Sequence, residues 1–184
     1  MKIRVNSGVF RGRFLSVGDQ AGLRPTKSQL RKTLFNWLRP QLAGMRGLDL
    51  FCGTGILGVE ALSNGAASMC FADKSKHLLH QLEKNIMKFN GLSASSVRFV
   101  PWCFPEPWQQ DPQGGYDLIF LDPPFLHIDI EPCINWALAN RLCAPKALIY
   151  VEASKSATLP DDCGFELIKR GVSSGVQCAL LQKV

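Results

Sequence analysis

From residue 47 onward, short apolar strand-like runs alternate with helix-like segments, and this alternation narrows the possible folds more than any other feature of the chain. The runs "LDLF", "SMCFAD", "SVRFV", "YDLIFLD" and "ALIYVEA" are separated in turn by "ILGVEALSNG", by "SKHLLHQLEKNIMKFNG", by a Pro- and Trp-rich connection, and by a helix around "IEPCINWALANRL". Strands interleaved with helices are connected by crossovers, which makes them parallel and covers both faces of the sheet. The last two runs, "FELIKRG" and "GVQCALLQKV", meet across "VSSG" and suit an antiparallel hairpin. The pattern predicts an α/β, Rossmann-like fold with a mostly parallel seven-stranded sheet and an antiparallel final hairpin.

The front of the chain reads differently. "KIRVNSGVFRGRFLSV" predicts a small β-hairpin around Gly8 and Gly12, with Arg11 and Arg13 near its turn. In "TKSQLRKTLFNWLRPQL", Leu30, Leu34, Trp37 and Leu38 recur at helical spacing, Thr26 is placed to cap the helix, and Lys27, Arg31 and Lys32 are expected off the apolar stripe. Residues 1–46 hold ten Lys or Arg against one acid, Asp19, whereas the remainder holds eleven against fourteen, so a front end of +9 is joined to a body of −3. A charge run is commonly no more than a solvated face, but this division is also the footprint of a polyanion-binding surface. Residues 1–45 are therefore taken as a basic N-terminal extension that contacts a polyanion, and 46–184 as the α/β domain. The seven cysteines contain no C-x-x-C pair and mostly lie in apolar runs, which suits a reducing cytoplasm. His77 and His80, at i and i+3 of an expected helix, read as solvated surface and not as metal ligands. No run approaches the ~18 apolar residues of a membrane span. A cytoplasmic protein without metal or membrane partner is expected.

In a doubly wound sheet, ligands lie beyond the carboxyl ends of the strands, so residues at strand ends are the candidates for chemistry. Three motifs fall there. "LDLFCGTGILG" places Gly53-Thr54-Gly55 and a third glycine, Gly58, between a strand and a helix, where backbone can approach a ligand closely. Asp73 ends "SMCFAD" twenty residues past Gly53, where a carboxylate commonly binds the two ribose hydroxyls of a nucleoside cofactor; the alternative is a helix cap, a role for which Ser75 competes. "IFLDPPF" ends a buried strand at Asp122, and Pro123 and Pro124 freeze two successive φ angles to hold that carboxylate extended. The first two motifs are shared by NAD and adenosyl cofactors.

With "DPPF" added, the chain resembles the class I S-adenosylmethionine-dependent amino-methyltransferases. "SGVFRGRFL", "GLRPTKSQLRKTLFNWL" and "LIYVE" are similar, more narrowly, to the bacterial 16S ribosomal RNA guanine-N2 methyltransferases of the RsmD type, whose target is guanine 966. The resemblance runs from about residue 3 to the last strand. It implies S-adenosylmethionine as cofactor, with Asp49 near the methionine amino group, Gly53 through Gly55 against the methionine moiety and Asp73 on the ribose. It also implies 16S ribosomal RNA or the 30S subunit as partner; a monomer is expected. One position departs from the pattern: Cys103 and Phe104 stand where an acid and a small residue often bind the adenine, so Phe104 stacking and either a backbone group or Glu106 would have to replace them. Trp102 and Trp108 read as packing, and Glu152 as a cap or charge partner as readily as an active-site residue.

The chemistry of the target fits the motif. An exocyclic amine delocalises its lone pair into the ring, so acceptors at Asp122 and at the Pro123 carbonyl would draw the nitrogen towards tetrahedral geometry, and Phe125 would stack on the base. Arg11, Arg13, Arg24, Lys27 and Arg31 are the expected phosphate contacts. Other readings stay open at this stage: methylation of a different amine such as adenine N6, a catalytically silent RNA-binding module, and a nicotinamide-dependent oxidoreductase, which would leave "DPPF" and the basic front end without a role.

Overall fold

The structure, a computed structural model, describes residues 1–16, 28–110, 113–124, 129–155, 157, 164–173 and 175–184. The chain opens with a hairpin of β1 (Lys2–Arg4) and β2 (Phe14–Ser16), followed by α1 (Ser28–Leu38). The alternating part then runs β3 (Arg46–Asp49), α2 (Ile56–Ser63), β4 (Ser68–Asp73), α3 (Lys76–Ile86), β5 (Val97–Pro101), β6 (Tyr116–Leu121), α4 (Ile130–Ala139), β7 (Cys143–Ser154), β8 (Phe165–Ser173) and β9 (Val176–Lys183). The seven-stranded sheet has the order β5-β4-β3-β6-β7-β9-β8. The first five of these strands pair in parallel, and β9 inserts antiparallel between β7 and β8. The final hairpin thus forms where the two closing runs predict it. Thr26, the expected cap of α1, lies outside the described residues, as does Cys163; of the other six cysteines five are buried thiols and Cys103 is exposed.

Two apolar clusters sandwich the sheet. On one face, Leu118, Phe120, Leu148, Tyr150 and Leu180 pack under α1, α2 and α3; on the other, Leu48, Ile119, Leu121, Ile149 and Leu181 pack under α4 and an aromatic loop. The front segment belongs to the first cluster, to which it contributes Ile3, Val5, Phe10, Leu15, Leu30, Leu34 and Leu38. Gly58 sets how closely α2 lies on β4, since an added Cβ would come within 2.3 Å of the Phe71 ring. No helix among the described residues is long and apolar enough to cross a membrane.

One cation of α1 does not lie where it was expected. Arg31, expected off the apolar stripe of α1 and facing RNA, is only 3% exposed. Its guanidinium pairs with Glu60, which is 0% exposed on α2, and also donates to the Arg4 carbonyl oxygen at 3.1 Å. Asn6 donates its backbone N–H to the same Glu60 oxygen at 3.2 Å. Position 31 lies three, four and seven residues before Leu34, Phe35 and Leu38, all buried, so it falls on the core side of the helix. Arg31 is a clamp between the front segment and α2.

Candidate active site

Sheet order locates the site. After β3 the chain builds outward through β4 and β5, then returns to lay β6 on the other side of β3, which makes the carboxyl ends of β3 and β6 the topological switch point. Asp49 ends β3, Asp122 directly follows β6, and Asp73 ends the neighbouring β4. The three acids predicted from scattered motifs therefore lie along one edge of the sheet.

Between Asp49 and α2 the chain makes the tight glycine loop. Gly53 and Gly55 take φ of +48° and +72°, in the left-handed region that favours glycine. Gly55 is also the residue immediately before α2, and a Cβ there would meet Leu82 of α3 at 2.3 Å. Thr54 is buried between them. Two acids fasten this loop. Asp49 accepts the Gly58 N–H at 3.2 Å from inside the core. Asp73 accepts the Gly53 N–H at 2.9 Å with one oxygen and the Ser75 N–H at 2.8 Å with the other. Ser75 caps α3 by accepting the Leu78 N–H, so Asp73 is not the cap of that helix and its half-buried carboxylate stands beside the glycine loop.

Burial pushes the Asp49 carboxyl up to about 8; the Gly58 N–H opposes the shift, and the negative charges of Asp122 and Asp73 add to it. A carboxyl kept from ionising by burial and by two neighbouring acids fits a cationic ligand, such as one bearing a sulfonium and an ammonium, whose charge favours the ionised form.

Asp122 is half-buried, Pro123 is buried and Pro124 is exposed; Phe125 lies outside the described residues. Leu121 pairs with Val151 on the neighbouring strand, and the charges of Asp122 and Glu152, the residues that follow this pair, both act on Tyr150. Glu152 is 3% exposed and accepts the Tyr150 hydroxyl at 2.8 Å. Burial, then the Glu152 charge, holds the Tyr150 hydroxyl well above its ordinary range.

At the end of β5 the departing stretch forms an aromatic nest. Cys103 is exposed and Phe104 half-buried. The Phe104 ring lies 6.1 Å from Phe51, Trp102 and Trp136. Trp102 is buried, with its indole N–H on the Glu106 carbonyl oxygen, in keeping with a packing role. Phe51, one residue past Leu50 in "LDLF", joins the nest beside Phe104 and escaped the sequence reading because it looks like the tail of a strand. Of the expected phosphate contacts, Arg11 is exposed at the hairpin turn and Arg13 half-buried; Arg24 and Lys27 lie outside the described residues.

A parallel sheet closed by an antiparallel hairpin, a glycine loop fastened by two acids and an Asp-Pro-Pro corner at the switch point define a class I S-adenosylmethionine-dependent methyltransferase. The comparisons with known proteins agree. The family model "Conserved hypothetical protein 95" matches residues 3–182. Ribosomal RNA small subunit methyltransferase D of Haemophilus influenzae is 36% identical over 98% of this chain and 94% of its own length, and its Escherichia coli namesake is 36% identical over 99% and 90%. The solved structure of yhhF from Escherichia coli superposes with a TM-score of 0.80 at 35% identity, covering 100% of this chain and 98% of that one. The chain belongs to the family of ribosomal RNA small subunit methyltransferase D.

Proposed function

We propose that this protein transfers the methyl group of S-adenosylmethionine to the exocyclic N2 amine of a guanine in 16S ribosomal RNA, at position 966. The observation that carries the reading is the carboxylate of Asp122, which directly follows β6 at the switch point and precedes two prolines. Bound there, the cofactor would supply an electrophilic methyl on sulfur, and the neutral thioether S-adenosylhomocysteine would leave as the carbon–sulfur bond breaks. Asp49, Gly53, Thr54 and Gly55 hold its methionine end, Asp73 its ribose, and Cys103 and Phe104 flank its adenine with Phe51.

Asp122 and the Pro123 carbonyl accept the two N–H bonds of the target amine and turn its lone pair towards the methyl group, work that is done once the ring conjugation is broken. Asp122 then takes the proton that becomes acidic on methylation. Phe125 stacks on the base after it leaves its helix. Residues 1–45 form the RNA-contacting extension, with Arg11, Arg13, Arg24 and Lys27 on phosphates; Arg31 is withdrawn from that set because its charge is spent on Glu60.

Single-turnover methylation of unmodified 16S RNA and 30S particles by Asp122→Ala tests the role of the carboxylate. A transition-state hydrogen bond of this kind is worth about 3 kcal/mol, so the rate should fall on the order of 10²-fold while cofactor affinity stays near that of the wild type. A variant as fast as the wild type would remove Asp122 from the chemistry.

A further inference from the structure

The outward face of the β1–β2 hairpin takes no part in the cofactor site. Each strand alternates strictly, sending Ile3 and Leu15 into the core and leaving Lys2, Arg4, Phe14 and Ser16 outside. Arg4 pairs directly with Phe14 across the hairpin. Phe14 is 52% exposed, an unusual degree for so large an apolar side chain. An added Cβ on Gly12 would lie 3.7 Å from a terminal nitrogen of Arg4, so the Arg4 guanidinium reaches back over the turn next to exposed Arg11. Residues 1–16 contain four cations and no acid. Arg13 is half-buried beside the segment that follows α3: it donates to the Lys88 carbonyl oxygen at 3.1 Å and lies 5.3 Å from the centre of the Phe89 ring.

The hairpin is held rigidly by two helices. At the end of α2, Ser63 accepts the Val9 N–H on its carbonyl at 2.8 Å and the Phe10 N–H on its hydroxyl at 2.9 Å, and donates that hydroxyl to the Ser7 carbonyl at 2.6 Å. Gly8 makes this approach possible, since a Cβ there would come within 1.8 Å of the Ser63 carbonyl oxygen. On α3, Asn85 exchanges two hydrogen bonds with the Ser16 backbone, at 3.1 and 2.8 Å. A surface already ordered loses little freedom when it binds. Its anchor on α2 is at the opposite end of that helix from the glycine loop, about 12 Å away at 1.5 Å per residue.

We propose that this face is a stacking platform for an unpaired RNA segment outside the target nucleotide: the Phe14 ring takes a base, and Arg4 and Arg11, with Lys2 beside them, take the adjoining phosphates. An aromatic ring set among cations with no acid in the segment is complementary to single-stranded nucleic acid, whose every base offers a π-face. The inference rests on the RNA substrate proposed above and adds where, and by what chemistry, that RNA is held.

The test titrates a fluorescent 12-nucleotide oligoadenylate at several salt concentrations, with S-adenosylmethionine affinity measured on each variant as the check on folding. Phe14→Ala should bind about 5- to 100-fold more weakly with an unchanged salt slope, and Phe14→Tyr should bind within about twofold of the wild type. Arg4→Ala should flatten the slope of log K against log salt by about 0.7. Wild-type affinity in Phe14→Ala would overturn the platform, and so would a loss of slope in that variant equal to that of Arg4→Ala. Phe14-dependent binding of polyglutamate in place of oligoadenylate would overturn it in favour of an acidic protein partner. Methylation of 16S RNA by the wild type, with oligoadenylate binding equal in wild type and Phe14→Ala, would sink the platform alone; Phe14-dependent binding without methylation would uphold the platform and sink the reaction.

Discussion

Replacing Arg31 with Met should destabilise the protein strongly, and by an amount that depends on pH. Glu60 is wholly buried, and its neighbours on α2 are buried with it. Its carboxyl is already raised by burial, an effect that the Arg31 charge and the Asn6 N–H only partly offset. Breaking a buried pair by removing one partner costs about 3–5 kcal/mol, because the other charge is left without compensation. In a chain of this size that corresponds to a fall in Tm on the order of 10 °C. With Arg31 gone the Glu60 carboxyl rises further. A carboxyl raised in the folded state costs nothing below its unfolded value and costs increasingly as pH climbs above it, so the deficit of Arg31→Met should shrink from pH 7 towards pH 4.5. Glu60→Leu strands a guanidinium that cannot shed its proton, and its deficit should change little over the same range. The double variant should recover most of the loss, since two apolar side chains replace the pair. Urea denaturation at pH 7 and pH 4.5 on the four proteins measures all of this. A loss below about 1 kcal/mol in Arg31→Met, or a double variant as unstable as the sum of the singles, would refute the clamp.

The remaining predictions concern the cofactor edge of the sheet. Asp73→Ala should raise the dissociation constant for S-adenosylmethionine with a smaller effect on turnover at saturation, as read by calorimetric titration and steady-state kinetics; unchanged affinity would leave Asp73 as a fastener of the Gly53 and Ser75 amides alone. Asp49, held at about 8 in the fold against 3.8 unfolded, should make the cofactor-free protein less stable as pH rises from about 4 to 8, with a slope of at most about 1.4 kcal/mol per pH unit that Asp49→Asn abolishes in denaturation curves. Cationic cofactor favours the ionised form, so binding near pH 7 should release a proton, seen as a binding enthalpy that depends on the ionisation enthalpy of the buffer; equal enthalpies in two buffers would contradict it.

The sheet was legible in the sequence because its signals were redundant: the central strands β4, β6 and β7 carry long apolar runs, and the helices between strands have their own apolar period or cap. The acids were legible for a similar reason, since a carboxylate ending an apolar run is hard to explain by packing. Arg31 was missed because a cation reads as surface by default. The corrective signal was divided between two helices: its spacing to Leu34, Phe35 and Leu38 in one, and a lone Glu60 inside the apolar run "ILGVEALS" in the other. Nothing local joins them, and only the fold brings them together. Phe51 was missed for the converse reason, that a strand-end aromatic and a site aromatic are the same letter.

We propose methylation of one guanine N2 of small-subunit ribosomal RNA. It is tested most directly by mass spectrometry of nucleosides and RNase fragments from the 16S RNA of cells with and without the gene. N2-methylguanosine should disappear from the single fragment containing position 966 and return with the wild-type gene but not with Asp122→Ala. An unchanged N2-methylguanosine profile, or the loss of a different methylated base such as N6-methyladenosine, would contradict it.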